Sequence, residues 1–195
     1  MQLLKKDKYI LEYSPNNLGK IFELIIEKIP ESIFSLLNKN FFKKAVKERT
    51  IDLYVVKKDK NIVSIISVIT IDNYNLLRKK IILFLLMHPL IVFTNISFLL
   101  GMIGKSSIDF GKNREKKYIH LLHLVIFSKY FKKISLKKKD NILNYFFKKI
   151  LKKNNAKSLF LCYEARNSKA RVYYKRNKFK IYKKINNMFF LRKSF

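Results

Sequence analysis

Two histidines in one short apolar run are the side chains best suited to proton transfer in this sequence. His120 and His123 lie in Tyr118–Phe127, which reads YIHLLHLVIF and is the most strand-like run in the second half of the chain. An imidazole titrates close to neutral pH, so either histidine could serve as a general base. In a regular strand the two rings would lie on opposite faces, and a structural role is the more common one for a lone strand histidine.

The stretch that follows, Ser128–Asp140, is strongly basic and could hold phosphate groups. Asp140 or Asn141 is predicted to cap the next helix, whose N-terminal N–H groups and dipole would attract an anion. Around Ser135, five lysines could supply charge to such a ligand: Lys132, Lys133, Lys137, Lys138 and Lys139. For each lysine alone, a solvated surface charge is the more common role.

Near the C-terminus, Ser158–Tyr182 reads SLFLCYEARNSKARVYYKRNKFKIY, a pattern typical of strand, polar break, short helix and strand. The spacing N-x-x-A-x-x-x-Y-x-x-x-x-F is formed by Asn167, Ala170, Tyr174 and Phe179. It resembles the C-terminal motif of the GNAT N-acetyltransferase superfamily, which usually reads N-x-x-A-x-x-x-Y-x-x-x-G-F. Lys178 stands in place of the glycine, and Asn177, which tolerates a left-handed backbone, is predicted to end the helix instead.

The resemblance implies acetyl-CoA as cosubstrate and no metal. GNAT enzymes bind acetyl-CoA where two central strands part, with the pyrophosphate on backbone N–H groups at the start of the next helix. The backbone of the fourth family strand would line that opening at Leu124, Val125 and Ile126, and a backbone N–H within Leu122–Ile126 would polarise the thioester carbonyl. Tyr174 would protonate the leaving thiolate. Asn167 would bind the cofactor arm or cap the helix, and capping is the more ordinary role.

One family signature is missing from this sequence. The pyrophosphate loop of GNAT enzymes usually reads Q/R-x-x-G-x-G/A, because glycine lets the backbone approach the phosphates, but no glycine follows Gly111 here. Two interpretations are open. In one, the lysines around Ser135 replace the glycine loop and acetyl-CoA still binds; in the other, CoA binding is lost and the domain is a degenerate relative.

The other predicted elements follow the order of a GNAT domain. Two amphipathic helices, over 18–29 and 33–48, precede a β-hairpin, and a third helix follows the basic stretch. Strands are predicted at 8–13, 51–57, 62–71, 118–127, 158–163, 179–185 and 188–192. We therefore predict an α/β (α+β) fold: a single GNAT-like domain over 1–195, with a mixed, mostly antiparallel sheet of six or seven strands flanked by helices.

An apolar helical insert, at about 75–104, is predicted between the third and fourth strands. Its segment Ile81–Ile103 has 23 residues without a formal charge other than that of His88, and basic residues flank it. Pro89 divides it into a pair of helices. A single membrane span is disfavoured, because the strands on either side could not then share one sheet. A buried or dimer-forming helix pair and contact with a membrane surface are both open.

Composition narrows the classes of partner and site. The net charge of +30 would favour nucleic acid or an anionic membrane, but only seven of the 43 basic residues are arginine, and AT-rich codon usage would produce the same lysine excess. A single cysteine, Cys162, excludes an intramolecular disulfide framework and is predicted as a small buried strand residue. Met1–Tyr13 lacks the apolar run of a signal peptide, so we expect a cytoplasmic protein, either free or peripheral to the inner face of the membrane.

The sequence thus predicts an acyl-CoA-dependent N-acetyltransferase that acts on a primary amine, such as an amino sugar or another small amine at a membrane surface. A homodimer is an open option. The alternative is a catalytically degenerate GNAT-fold protein, or another basic module, that binds RNA or the ribosome. Interleaved aromatic residues would then stack on bases, namely Tyr130, Phe131, Tyr173 and Tyr174.

Overall fold

One sheet of eight strands organises the described part of the chain. The computed structural model describes residues 3–6, 8–13, 16–30, 35, 37–94, 118–131 and 134–195, with only the backbone described at 3–6 and 92–94. The strands are β1 Leu3–Lys6, β2 Tyr9–Tyr13, β3 Asp52–Lys58, β4 Asn61–Thr70, β5 Tyr118–Ile126, β6 Ser158–Glu164, β7 Lys180–Ile185 and β8 Met188–Ser194. The helices are α1 Leu18–Lys28, α2 Asn38–Lys47, α3 Ile71–Met87, α4 Pro89–Thr94, α5 Leu136–Lys153 and α6 Ser168–Arg176, with a 3₁₀ turn at Ser128–Phe131.

The strands lie in the order β1-β2-β3-β4-β5-β6-β8-β7, and every neighbouring pair is antiparallel except β5 and β6. The predicted mixed, mostly antiparallel sheet with flanking helices is therefore confirmed. The strand beyond the predicted seven is β1, which pairs with β2 as a hairpin closed at Lys6 and Tyr9.

Helices cover both faces of the sheet because its central strands are apolar on both sides. In β4, Ile66 and Val68 face a core that α5 and α6 complete with residues such as Phe146, Phe147 and Tyr174. Ile65 and Ile69 face the opposite core, which α1, α2 and α3 complete with Ile25, Phe42 and Phe84 among others. The lone parallel pair, β5 and β6, therefore lies between two helical layers.

The apolar insert begins earlier than its hydrophobic run predicts. Thr70, predicted inside a strand, ends β4 and caps α3, and its Oγ1 accepts a hydrogen bond from the Asn73 backbone N–H at 3.3 Å. The predicted break near Pro89 is present, because α3 ends before His88 and proline opens α4. The rest of the segment, 95–103, lies outside the described residues. Among those that are described, no helix is long and apolar enough to cross a bilayer.

One predicted helix start is wrong by five or six residues, and one predicted helix end has the right position but a different backbone conformation. Ser135, not Asp140 or Asn141, caps α5, and its Oγ accepts from the Lys138 backbone N–H at 3.3 Å. At the end of α6, Asn177 ends the helix as predicted, but it keeps a φ of −84°, and Lys178 takes the left-handed φ of 60°. Asn177 is instead fixed by its buried amide, which donates to the Tyr173 carbonyl and accepts from Asn144.

Candidate active site

The site begins where β5 and β6 part. Their parallel ladder has three pairs and ends at His120 and Phe160. Beyond that point β5 pairs only with β4 and β6 only with β8, as far as the described strands show. The result is an opening between Leu121–Ile126 and Leu161–Glu164, of the kind that the GNAT resemblance implies for acetyl-CoA.

Backbone groups of β5 line this opening at alternate residues. The Val125 carbonyl accepts from the Ser64 hydroxyl at 2.8 Å, and the Phe127 N–H donates to the Val63 carbonyl at 3.0 Å, so Val125 and Phe127 point their backbone groups toward β4. Because the N–H and C=O groups of a strand alternate between its two edges, those of Leu124 and Ile126 point toward β6. Of the three predicted cofactor-lining residues, these two present polar backbone to the opening, and Val125 does not.

A β-bulge in β5 places the two histidines on one face. Ser67 pairs with His123 and the next residue of β4, Val68, pairs with Leu121, so Leu122 is the extra residue. Since His120 pairs with Ile69, two residues from Ser67 on β4, both rings face the side covered by α3. The expectation of opposite faces holds only for a regular strand and is therefore not met.

Burial keeps both imidazoles neutral at physiological pH. Removal from water lowers the pKa of His120 to about 4 and, together with the neighbouring His120, lowers that of His123 to about 4. The His123 Nδ1 lies 2.6 Å from the Ser67 Oγ inside the core, a contact that fixes this ring in place. The ring centres of Tyr74, on α3, and His120 lie 6.0 Å apart. His120 is the last residue of β5 that pairs with β6.

Tyr174 approaches the same opening from the opposite side of the sheet. Its ring packs against those of Tyr163 and Phe179 at 5.8 and 5.1 Å. Burial, followed by the nearby Cys162 thiol, raises the pKa of Tyr174, so the phenol stays protonated at neutral pH. Burial and the same thiol also raise the pKa of Tyr74. Cys162, half-buried on β6 two residues past the last pair with β5, therefore lies near both phenols.

Tyr173 lies in different surroundings from those of Tyr174. Its electrostatic neighbours are Tyr174, Asp140 and Arg176, and the Arg176 guanidinium lies 5.8 Å from its ring. Its hydroxyl is buried without a hydrogen-bond partner within the described part of the chain. Of the two adjacent tyrosines, Tyr174 is the one with Cys162 among its neighbours.

The N-terminus of α5 follows β5 and the 3₁₀ turn along the chain, and it carries positive charge. Ser135 caps it, Lys137 and Lys138 are exposed in its first turn, and Lys139 is half-buried with its Nζ 5.5 Å from the Phe131 ring centre. The first acidic residue, Asp140, is neutralised by Arg176 of α6 through hydrogen bonds of 2.5 and 3.1 Å. Lys132 and Lys133, the other two predicted phosphate ligands, lie outside the described residues.

Asn167 caps α6. Its Oδ1 accepts a hydrogen bond from the Ala170 backbone N–H at 2.9 Å, which is the structural role weighed for it from the sequence. The Asn167 backbone N–H also donates to the Glu164 carbonyl at 2.9 Å, which holds the start of α6 close to the end of β6.

Sequence reasoning missed Ser67, Tyr74 and the position of Cys162. Tyr74 has a helical signal, since Tyr74, Leu77 and Ile81 recur at spacings of three and four on the inner face of α3. Ser67 has none, because only the cross-strand pairing places it beside His123. Within the described residues, no cluster of histidine, cysteine, aspartate and glutamate could hold a metal ion.

The arrangement can bind an elongated anionic molecule and move protons at one end of it. The open edge of β5 offers hydrogen-bonding groups, and the start of α5 offers lysines and helix N–H groups for phosphates. Neutral imidazoles can accept a proton and protonated phenols can donate one.

Solved structures resemble this chain, whereas comparisons with protein-family models and with curated proteins give no match. The N-acetyltransferase PseH from Campylobacter jejuni matches at 15% identity and a TM-score of 0.52, over 96% of this chain and 98% of its own. The PaiA N-acetyltransferase from Thermoplasma acidophilum, in complex with coenzyme A, matches at 15% and 0.57, over 95% and 99%. The dodecameric spermidine N-acetyltransferase from Vibrio cholerae matches at 11% and 0.57, over 97% and 95%.

Proposed function

Because the chain has the GNAT fold, we propose that it is an acyl-CoA-dependent N-acetyltransferase acting on a primary amine, either an amino sugar or another small amine. The observation that carries the proposal is the parting of β5 and β6 after His120 and Phe160, with α5 as the next α-helix along the chain after β5. Two of the similar proteins are consistent with it: PseH has been solved with acetyl coenzyme A, and PaiA with coenzyme A.

In the proposed complex, acetyl-CoA lies along the open edge of β5. Its amide groups bond to the backbone of Leu124 and Ile126, in the manner of a short added strand. Its phosphates lie at the N-terminus of α5 with Lys137, Lys138 and Lys139. The positive charge of these lysines replaces the backbone N–H groups that a glycine loop would offer to the phosphates. The thioester then reaches the part of the opening near Cys162.

The proposed reaction forms one C–N bond and breaks one C–S bond. The amine nitrogen attacks the thioester carbonyl, and a backbone N–H of β5 stabilises the charge that develops on the carbonyl oxygen. His120 accepts the proton that the amine loses. His123, held by its contact with Ser67, packs on the same side of β5. Tyr174 donates a proton to the departing sulfur.

Calorimetric titration with acetyl-CoA tests the cosubstrate. We expect micromolar affinity for the unaltered protein and an affinity at least ten-fold lower for Lys137→Ala/Lys138→Ala/Lys139→Ala, because three positive charges leave the phosphate end. The matched control is Lys180→Ala/Lys183→Ala/Lys184→Ala, which removes the same charge from exposed positions on β7 and leaves the affinity within about two-fold. No binding at millimolar acetyl-CoA would contradict the proposal.

Cys162 provides an independent position marker, because it is the sole cysteine of the sequence. We expect saturating acetyl-CoA to slow the alkylation of its half-buried thiol by N-ethylmaleimide at least five-fold, since the thioester would cover it. Mass spectrometry of the intact protein measures the rate. An unchanged rate at a concentration that saturates the calorimetric signal would place the ligand elsewhere.

The second candidate is a catalytically inactive GNAT-fold module that binds RNA or the ribosome. The observation in its favour is the exposed basic surface of α6 and β7, which includes Lys169, Arg171, Lys180, Lys183 and Lys184 beside exposed Tyr182. Steeply salt-dependent RNA affinity, together with no affinity for acetyl-CoA, would favour this module over the enzyme.

A further inference from the structure

From Ile82 to Leu90, the outer face of α3 and of the start of α4 is apolar although it faces solvent. Leu83, Leu86, Met87 and Leu90 are 58%, 73%, 62% and 78% exposed. Leu76, Leu83 and Met87 are spaced by seven and four residues, so they form one stripe along the outer side of α3. We call Leu76, Leu83, Leu86, Met87 and Leu90 the outer stripe.

The inner side of α3 is packed against the core of the protein. Leu77 and Phe84 are buried, and the Phe84 ring meets that of Phe41, on α2, at 5.4 Å. A helix that covers a core with one side is normally polar on the other, as α5 is with exposed Lys148 and Lys152. From Ile81 to Leu90, α3 and the start of α4 carry no acidic, lysine or arginine side chain on either side. The outer stripe therefore needs an apolar partner other than its own core.

Positive charge borders the outer stripe. Arg78 and Lys79 are exposed on α3 between Leu76 and Leu83. The ion pair of Lys80 with Glu48, and the bond from the Asn73 Nδ2 to the Arg49 carbonyl at 2.9 Å, bring the end of α2 alongside α3. That end adds exposed Lys44, Lys47 and Arg49. Of the acidic groups here, Glu48 is paired with Lys44 and Lys80, and Asp72 is exposed at the start of α3.

We propose that the outer stripe docks this protein on an anionic lipid bilayer. Its leucines and Met87 enter the boundary between headgroups and acyl chains, and Arg78 and Lys79 contact lipid phosphates. The same charges oppose a second copy as the partner, because two chains of net charge +30 would meet with basic residues on both sides. Docking does not depend on acetyl transfer.

Docking also bears on the acceptor, in a step that rests on the proposed function. Tyr74, beside His120, is nine residues from Leu83 on the same helix, which corresponds to about 13 Å along its axis. An amine linked to a lipid headgroup would therefore meet the site without leaving the membrane surface. The acceptor class that fits this geometry is a lipid-linked amine.

Vesicle flotation tests the docking with the full chain. We expect binding to vesicles of phosphatidylcholine and phosphatidylglycerol, and much weaker binding to phosphatidylcholine alone. Leu83→Glu/Met87→Glu should weaken binding at least ten-fold, because it places two anions in the outer stripe. The matched control, Val172→Glu/Ile181→Glu, makes the same charge change at positions that are 61% and 60% exposed on α6 and β7, and it should retain binding.

Three outcomes would overturn the docking proposal: no binding to anionic vesicles, equal binding by Leu83→Glu/Met87→Glu, or equal loss in the control. A dimer in sedimentation velocity that Leu83→Glu/Met87→Glu converts to a monomer, without vesicle binding by either, would assign the outer stripe to a second copy instead. Acetyl-CoA titration of the same variants keeps the proposals separate. If the protein binds acetyl-CoA but not vesicles, only the docking proposal is contradicted. If it binds vesicles but not acetyl-CoA, only the proposed enzymatic function is contradicted.

Discussion

Tyr173 and Tyr174 are adjacent in the sequence, but the fold gives them different chemistry. One helical step separates their side chains by about 100°, so only one can face the opening between β5 and β6. Tyr174 has Cys162 and Tyr163 as neighbours, and Tyr173 has Asp140 and Arg176. Burial raises the pKa of both phenols, which keeps both protonated at neutral pH. Position, not acidity, therefore distinguishes them.

We expect Tyr174→Phe to lower kcat by about 100-fold with little change in the affinity for acetyl-CoA. The ring contacts with Tyr163 and Phe179 remain, and only the proton donor to sulfur is lost. Steady-state kinetics with a small amine acceptor measures this. Tyr173→Phe is the matched control and should keep kcat, because it removes a buried hydroxyl without a partner among the described residues. Equal losses in the two variants would argue against an acid role for Tyr174.

At the scale of elements, two local irregularities shape the site. The bulge at Leu122 turns His120 and His123 to one side of β5. The turn after α6 sets how Phe179 and β7 leave the helix, and there Lys178 adopts a φ of 60° where the related motif has glycine. Lysine thus holds, at the position where the related motif has glycine, a conformation that favours glycine.

Lys178→Gly should increase the free energy of unfolding by about 0.5–1 kcal/mol. Glycine relieves the left-handed conformation, and its greater freedom in the unfolded chain offsets part of the gain. Chemical denaturation followed by circular dichroism measures the difference. Asn177→Gly is the contrasting variant: it removes the buried amide bonded to Tyr173 and Asn144, so it should destabilise the protein. A destabilised Lys178→Gly protein would show that the Lys178 side chain, and not its backbone, matters at this turn.

At the scale of the whole molecule, the helical layers bury ionisable groups that are neutral at physiological pH. His120 and His123 lie in the layer formed by α1, α2 and α3, and the pKa of each falls to about 4 from an ordinary 6.5. Between these two values the unfolded chain binds protons that the folded protein does not. The contribution of these two histidines to the free energy of unfolding is therefore complete above pH 6.5 and decreases as the pH falls toward 4.

We expect the free energy of unfolding to decrease by up to about 3 kcal/mol per buried histidine between pH 6.5 and pH 4. In His120→Gln/His123→Gln this part of the pH dependence should disappear, because glutamine does not titrate. Urea denaturation at a series of pH values measures it. In the control, His88→Gln, both buried rings remain and so should the decrease. An identical pH profile in the double variant would mean that other groups cause it.

The sequence by itself determined most of the elements. Apolar spacing and turn residues predicted seven of the eight strands and both helices of the C-terminal half, because these signals act between residues that are close along the chain. The Asn167–Phe179 spacing also indicated the GNAT fold, and solved structures support that fold across nearly the full length. Helix ends were less well predicted. Ser135 and Thr70 each cap a helix through a single side-chain hydrogen bond, and nearby residues in the sequence could make a similar bond.

Only the tertiary structure decided the composition of the candidate site. The bulge at Leu122 arises from the register of β5 on β4, and it cannot be read from β5 alone. The parting of β5 and β6, and the meeting of Tyr74, Cys162 and Tyr174 around it, depend on pairing between segments far apart in the sequence. The exposure of the outer stripe has the same origin. The apolar run in the sequence does not say which side of α3 the core covers, and that side is fixed only when α2 and the sheet pack against it.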